Sequence, residues 1–377
     1  MSQYLRRAIV PWAISRAVFL ILGVVATAIF GPPERGVDAV VPSWLSLFGG
    51  WDTSWYLDIA QHGYVTDVGA VGHSFTNVAF FPLLPGIMAA GRVIGMNPFW
   101  TAILVANVGV LVALMGIDWL TRREFGHPLA TRTIWVFAFL PTGLFAALPY
   151  TEGLVLAFAV TAAVLASRGQ VALAGLLAAL AALARPPGIL VAVLVVLIAI
   201  RRPGASRLRA ITIGAGPSLA ALGGLFIWMQ RTRGSWSLPL DAQRAWGRGQ
   251  LITGLWTSLP GFVQRAVDQV IHGHVTADWT SFTRDVAALV VAAALTIRLA
   301  RRVGWGSPWT VYSALSVALP FSSGSPTSLA RFSLMAFPLV WPLTEWVGAD
   351  RNRHRVFAVA ALALTALLVA QLRIRSP

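Results

Sequence analysis

Four long apolar runs, Ile9–Phe30, Pro98–Leu120, Leu208–Gln230 and Val356–Leu372, constrain this chain more than any other feature. Each is close to or above the roughly 18 residues needed to cross a hydrocarbon core as a helix. Shorter apolar runs lie between them. Charged residues make up only 11% of the chain, against about a quarter in soluble domains. The expectation is an all-α integral membrane protein. Arg6 and Arg7 precede the first run as they would in a secretory leader. That run is too long and lacks a small-residue cleavage site, so it reads as a retained span.

The formal charge of +15 raises nucleic acid as a partner. The cations are scattered in short clusters between apolar runs, with no basic groove or RNA-binding signature, so nucleic acid is set aside. Retention of cations in cytoplasmic loops accounts for the excess. Every basic side chain is Arg and none is Lys, as a GC-rich bacterial genome would give. With no Cys there is neither a disulfide framework nor a thiolate ligand.

Spans are expected at 9–30, 98–120, 130–149, 153–167, 171–185, 187–201, 208–230, 284–300, 308–321, 332–348 and 355–372, about eleven in all. They form one polytopic domain over residues 1–377. With the N-terminus inside, Arg6/Arg7, Arg122/Arg123/Arg132, Arg168, Arg201/Arg202/Arg207/Arg209, Arg298/Arg301/Arg302 and Arg351/Arg353/Arg355 fall in inner loops. Most acids then fall outside, among them Asp52, Asp58, Glu152, Asp268, Asp278 and Asp285. Arg231, Arg233, Arg244 and Arg248 break the pattern. Phe80–Ile94 contains Pro82 and Pro85 and reads as an interfacial or re-entrant helix. Two long outer segments result, 31–97 and 231–283. Both are rich in Trp, as suits chain lying at headgroup level, and segments of this length usually carry function.

Four motifs on the outer face hold candidate chemistry. In the stretch that begins Gly50-Trp51-Asp52-Thr53-Ser54-Trp55-Tyr56, residues Asp52, Trp55 (or Tyr56) and Ile59 lie at helical spacing. Asp52 then starts a short interfacial helix, where the dipole favours a carboxylate. The same pattern fits a plain capped helix with aromatic anchors, and Asp58 is expected to face water. In Pro149-Tyr150-Thr151-Glu152-Gly153, Glu152 sits at the outer end of a span; carboxylates at membrane depth are costly and usually functional, although a helix cap also fits. Ala184-Arg185-Pro186-Pro187-Gly188 and Ser328-Leu329-Ala330-Arg331-Phe332 each put one Arg where a span meets the surface. A guanidinium fork suits phosphate oxygens, and a snorkelling Arg is the simpler alternative. Together these make a carboxylate base and two phosphate-binding arginines. That set matches a reaction whose leaving group is a lipid phosphate, with a base for the acceptor hydroxyl. There is no Asp-x-Asp metal motif. Asp268, His272, His274 and Asp278 could gather a cation, but a solvated loop is the simpler reading, and neither a metal nor a cofactor is expected.

The stretch from Trp51-Asp52 through Ile59-Ala60-Gln61-His62-Gly63-Tyr64, with Ala79-Phe80-Phe81-Pro82-Leu83-Leu84-Pro85, resembles the PIG-V mannosyltransferase family of the GT-C glycosyltransferases. Tyr150-Thr151-Glu152 resembles that family's Tyr-Ser-Glu, and Arg185-Pro186-Pro187-Gly188 its Arg-Ser-Asn-Gly. Ser328 to Pro338 resembles its Ser-x-x-Arg-Tyr…Phe-Pro segment, and Gln243-Arg244-Ala245-Trp246 a Gln-x-x-Trp element of its bacterial members. The motifs follow family order over most of the chain. Pro186-Pro187 and Phe332 depart from the pattern.

The resemblance implies a GT-C-like helical bundle and an inverting, metal-independent transfer of a sugar, with mannose favoured. The donor would be a polyprenyl-phosphate sugar and the acceptor a lipid or glycan, at the outer face of a bacterial plasma membrane. Asp52 would be the general base and Arg185 and Arg331 the donor-phosphate ligands. Glu152 would orient the acceptor or tune Asp52, and Trp51, His62, Gln243 and Trp246 would line the substrate. The rival readings are a transporter or flippase of lipid-linked sugars, which would be favoured by inverted repeats that the chain lacks, and a non-catalytic subunit of the same fold.

Overall fold

The computed structural model describes residues 2–31, 40–64, 69, 71–204, 206–248, 264, 267–268, 271, 277–322 and 328–374. Most of them are helical, and among them the one β contact is an isolated bridge between Val71 and Ser74. In chain order the principal helices are α1 (Ser2–Phe30), α2 (Asp52–His62), α3 (Leu83–Val93), α4 (Pro98–Phe125), α5 (His127–Ala138), α6 (Glu152–Ser167) and α7 (Val171–Ala184). There follow α8 (Leu190–Ala199), α9 (Arg207–Arg233), α10 (Ala277–Val303), α11 (Pro308–Ser322), α12 (Leu329–Ser333), α13 (Val340–Val347) and α14 (Arg351–Ile374). Within α1, α4, α9 and α14, the segments Gln3–Phe30, Pro98–Phe125, Arg207–Arg233 and Arg351–Gln371 are long and apolar enough to cross a membrane.

Two of the expected spans are interrupted, for local reasons. Residues 130–149 do not form one span. Helix α5 stops at Ala138, and a 3₁₀ turn at Pro141–Leu144 leads into an irregular path up to Glu152. Pro141 lacks the N–H a continuing helix needs and disfavours a helical Leu140. Residues 332–348 are likewise broken, into α12, a turn at Phe337–Leu339 and α13; Pro338 lies in the break. Within Phe80–Ile94 the helix is α3, whose 11 residues span about 16 Å, too short to cross. It buries Leu84 and Met88 and packs on α2 and α4.

Small residues let the helices approach closely. At the crossing of α4 and α6, a Cβ on Gly153 would lie 2.2 Å from the Ala106 carbonyl oxygen. A Cβ on Gly188 would lie 1.9 Å from the Ala181 carbonyl oxygen. These contacts are backbone against backbone and cannot relax by a rotamer change. We expect Gly153→Val to destabilise the protein by at least about 1–3 kcal/mol, read as a lower unfolding temperature in detergent. An unchanged midpoint would mean that the crossing is looser than described.

The arginine-rich loops gather at one end of the bundle. Arg7 Nη1 lies 3.0 Å from His127 Nε2. Arg123 and Arg202 both donate to the Ser167 carbonyl, at 3.1 and 2.8 Å. Arg201 donates to the Gly306 carbonyl at 2.6 Å and Arg302 to Glu345 at 3.2 Å. The starts of α2 and α6, the end of α7 and the turn at α12 meet at the opposite end, where the acidic motifs lie.

Candidate active site

Asp52 is the first residue of α2, as the helical spacing required, and Trp51 before it adopts φ 61°. A non-glycine residue in that region is strained and commonly marks a functional position. Ser54 donates from its hydroxyl to the Trp51 carbonyl at 2.7 Å, and Thr53 to the Phe48 carbonyl at 2.9 Å. These bonds hold the bend that turns the Asp52 carboxylate inward.

Glu152 opens α6 and is wholly buried. Arg185 donates from Nη1 and Arg331 from Nε to the same oxygen, Glu152 Oε1. The other guanidinium arm of Arg331 reaches Asp52, Nη2 to Oδ2, at 2.7 Å. That approach is too bent for an aligned hydrogen bond and is an ion pair by distance. Four residues from four separate motifs thus form one chain: Arg185, Glu152, Arg331, Asp52. The Asp52 side chain is 23% exposed and that of Glu152 0%, so of the two carboxylates only Asp52 can meet a molecule arriving from outside.

Aromatic rings support the cations. The Arg331 guanidinium lies 4.3 Å from the centre of the Tyr150 ring. The Phe332 ring receives Arg185 at 4.5 Å and Arg248 at 4.8 Å. Phe332 therefore lacks a hydroxyl to contribute but serves two guanidinium groups through its π face. Pro186-Pro187 also has a definite effect. Arg185 precedes a proline, which disfavours the helical region, and it is extended at φ −168°, ψ 157°. Helix α7 ends there and the Arg185 side chain turns toward Glu152. Burial first, then the Asp52 carboxylate, pushes the Tyr56 phenol up from its ordinary value.

Arg248 has no role in the sequence reading, where it counts only against the loop-charge pattern. It retains some surface overall, but its guanidinium is enclosed. Burial, followed by the nearby Arg185 charge, pushes it down to about 10. Its position outside the expected inner loops was the available signal.

The other sequence candidates sit further out. Gln243 donates to the Ala79 carbonyl at 3.0 Å. Trp246 packs edge-on against Phe75, Phe80 and Trp55, with ring centres 4.7, 5.8 and 6.2 Å away. These contacts dock the 238–246 segment onto the first outer segment above α2. His62 lies at the far end of α2, about 15 Å along the axis from Asp52, and is paired with Asp58 at 3.0 Å. It is not brought to the ion-pair chain. Asp58 does not simply face water: it accepts a hydrogen bond from Asn77 Nδ2 at 2.6 Å. His272 and His274 of the candidate cation cluster lie outside the described residues, as does the Asp278 side chain. Among the described residues no three His, Cys, Asp or Glu converge.

The chain matches no family model and no curated protein by sequence. Solved structures of the Archaeoglobus fulgidus oligosaccharyltransferase align with it at low similarity. The form tethered with an acceptor peptide containing the NVT sequon aligns at 12% identity and TM-score 0.47, over 94% of this chain and 55% of that one. The apo form aligns at 14% identity and TM-score 0.43, over 97% and 54%. The complex with an inhibitory peptide and a dolichol-phosphate aligns at 13% and 0.40, over 95% and 55%. The chain spans about half the length of these neighbours.

Proposed function

We propose that this protein is a membrane glycosyltransferase of PIG-V-like type. It would move a sugar, mannose in the first instance, from a polyprenyl phosphate to a lipid or glycan acceptor at the outer face of a bacterial plasma membrane. The observation that carries this reading is the chain Arg185–Glu152–Arg331–Asp52 at the end of the bundle opposite the arginine-rich loops. It pairs one partly exposed carboxylate with a guanidinium cluster, the two functions that transfer from a phosphate requires.

Asp52 would take the proton from the acceptor hydroxyl as that oxygen attacks the anomeric carbon. The bond from that carbon to the phosphate oxygen breaks as the new one forms, so the configuration inverts. The phosphate leaves with the extra negative charge. Arg185 and Arg331, fixed in advance by Glu152, would receive that charge without reorganising. Glu152 has no exposed surface, so of its two expected roles the arrangement favours tuning Asp52, here through Arg331. Trp246, Gln243 and Trp51 are the residues proposed to meet the sugar or acceptor.

The test is to reconstitute the purified protein in lipid with sugar-labelled polyprenyl-phosphate mannose and a membrane lipid extract. Label should move into a new product. Folded protein that leaves the label on the donor, with mannose and glucose alike, would remove the reading.

Orientation is tested separately. A single cysteine at exposed Ser74 should react with an impermeant thiol reagent on whole cells. Cysteines at exposed Ser206 and Asn352 should not, and labelling at Ser206 would overturn the arrangement. The absence of native Cys makes the comparison direct.

A further inference from the structure

Arg331 can bridge two carboxylates only if the short helix that carries it is held at the right height and angle. Ser328, which opens that helix, adopts φ 66°, ψ 18°, and its own side chain makes no capping bond. The left-handed region is unfavourable for a residue with a Cβ, and the first N–H groups of a helix need acceptors. Both needs are met from another helix. Asp285 of α10, 2% exposed, accepts from the Ser328 N–H through Oδ2 and from the Ala330 N–H through Oδ1, each at 3.0 Å. Arg284 grips the same carboxylate, Nη2 to Oδ2 at 3.2 Å, and donates to Gln371 of α14 at 3.1 Å. The turn is thus tied to two long helices by one buried carboxylate, one residue before Arg331.

We propose that Asp285 is the positioning residue for Arg331: it holds the α12 turn, and through Arg331 it sets the ion pair to Asp52. This rests on the reading of Arg331 as part of a transfer site. Asn at 285 keeps the shape but turns an NH₂ toward a backbone N–H, so one of the two bonds becomes a donor facing a donor, and Arg284 loses its counter-charge. The turn loses its fixed height while the remaining helices keep their packing.

Two measurements on the full-length protein in lipid decide the matter. The first does not depend on activity. Arginines are modified with phenylglyoxal and read out by peptide mass spectrometry. Arg331, 3% exposed, should be protected in the parent protein and modified several-fold faster in Asp285→Asn. Arg122, paired with Asp118 at 2.9 Å at the other end of the bundle, should be unchanged. Protection of Arg331 in both proteins, or an equal rise at Arg122, overturns the proposal. The second is a double-mutant cycle on sugar transfer. Asp285→Asn should lower kcat by about 10²-fold, as expected for a small misplacement of a charge-stabilising group. It should have little further effect in an Arg331→Ala background. Equal losses in both backgrounds would assign Asp285 a general structural role and overturn the proposal. If Asp285→Asn is not recovered folded, Asp285→Glu, which shifts the carboxylate by one methylene, replaces it in both comparisons, and the same results support or overturn the proposal. A parent protein with no transfer activity would remove the proposed function, while the labelling result would still decide the role of Asp285.

Discussion

Asp52→Asn is expected to lower sugar transfer by about 10²-fold or more, as when a positioned general base is lost, while the protein stays folded. The Asn carbonyl keeps the shape and can still serve the helix start, but its amide cannot accept the proton of the acceptor hydroxyl. The charge balance of the site adds a second signature. Asp52 neutralises one arm of Arg331, so its removal leaves the donor pocket more positive. The donor KM should therefore stay the same or fall as kcat drops, which separates loss of the base from loss of the site. Asp58→Asn is the control. Asp58 is held by His62 and Asn77, away from the ion-pair chain, so that variant should keep most of its activity. Full transfer by well-folded Asp52→Asn would remove the base. Glu152 could not replace it, since it has no exposed surface.

Arg331→Ala is expected to reduce kcat/KM by about 10²–10³-fold, the range seen when a preorganised donor to a developing charge is removed. It should also lower stability by about 3–5 kcal/mol, as expected when a buried pair loses one partner. Glu152 would keep Arg185 alone, and Asp52 would lose the one charged group it pairs with among the described residues. Arg331→Lys is the more informative variant. In the parent protein Nε serves Glu152 while Nη2 serves Asp52, and this needs a planar fork with separate donors. A lysine nitrogen at one position can hold one carboxylate closely but not both in this geometry. The Lys variant should regain folded yield without regaining full activity. Parent-like donor kinetics in Arg331→Ala would make Arg331 a structural anchor only.

The site was more legible in the sequence than the path of the chain. Glu152, Arg185 and Arg331 each stood where an apolar run ends, and Asp52 at the start of a short helix expected in the first outer segment; polar residues at such points draw attention on energetic grounds alone. Their convergence could not be read from spacing, because it depends on α6, α7 and α12 meeting at one end. Asp285 was visible only as another outer-face acid. Its partners are backbone N–H groups 43 and 45 residues away, and such bonds leave no residue pattern. His62 drew attention by lying within the Asp52 motif, but a continuous helix carries it to the far end. The runs at 130–149 and 332–348 looked like spans because hydropathy averages over a break. The prolines at 141 and 338 marked the breaks, yet prolines are tolerated in membrane helices, so they did not settle where the helices stop.

The measurement that tests the central claim most directly follows both halves of the donor at once. A polyprenyl-phosphate mannose carrying tritium in the sugar and radiophosphorus in the phosphate is supplied to the purified protein with acceptor lipids. If Asp52 and the arginines perform transfer, the labels separate: tritium enters a new product and radiophosphorus remains with the polyprenyl chain. The separation is lost in Asp52→Asn. If the labels stay together, on either side of the membrane, the protein binds or moves the lipid-linked sugar without breaking it, and Asp52 is not the base of a sugar transfer.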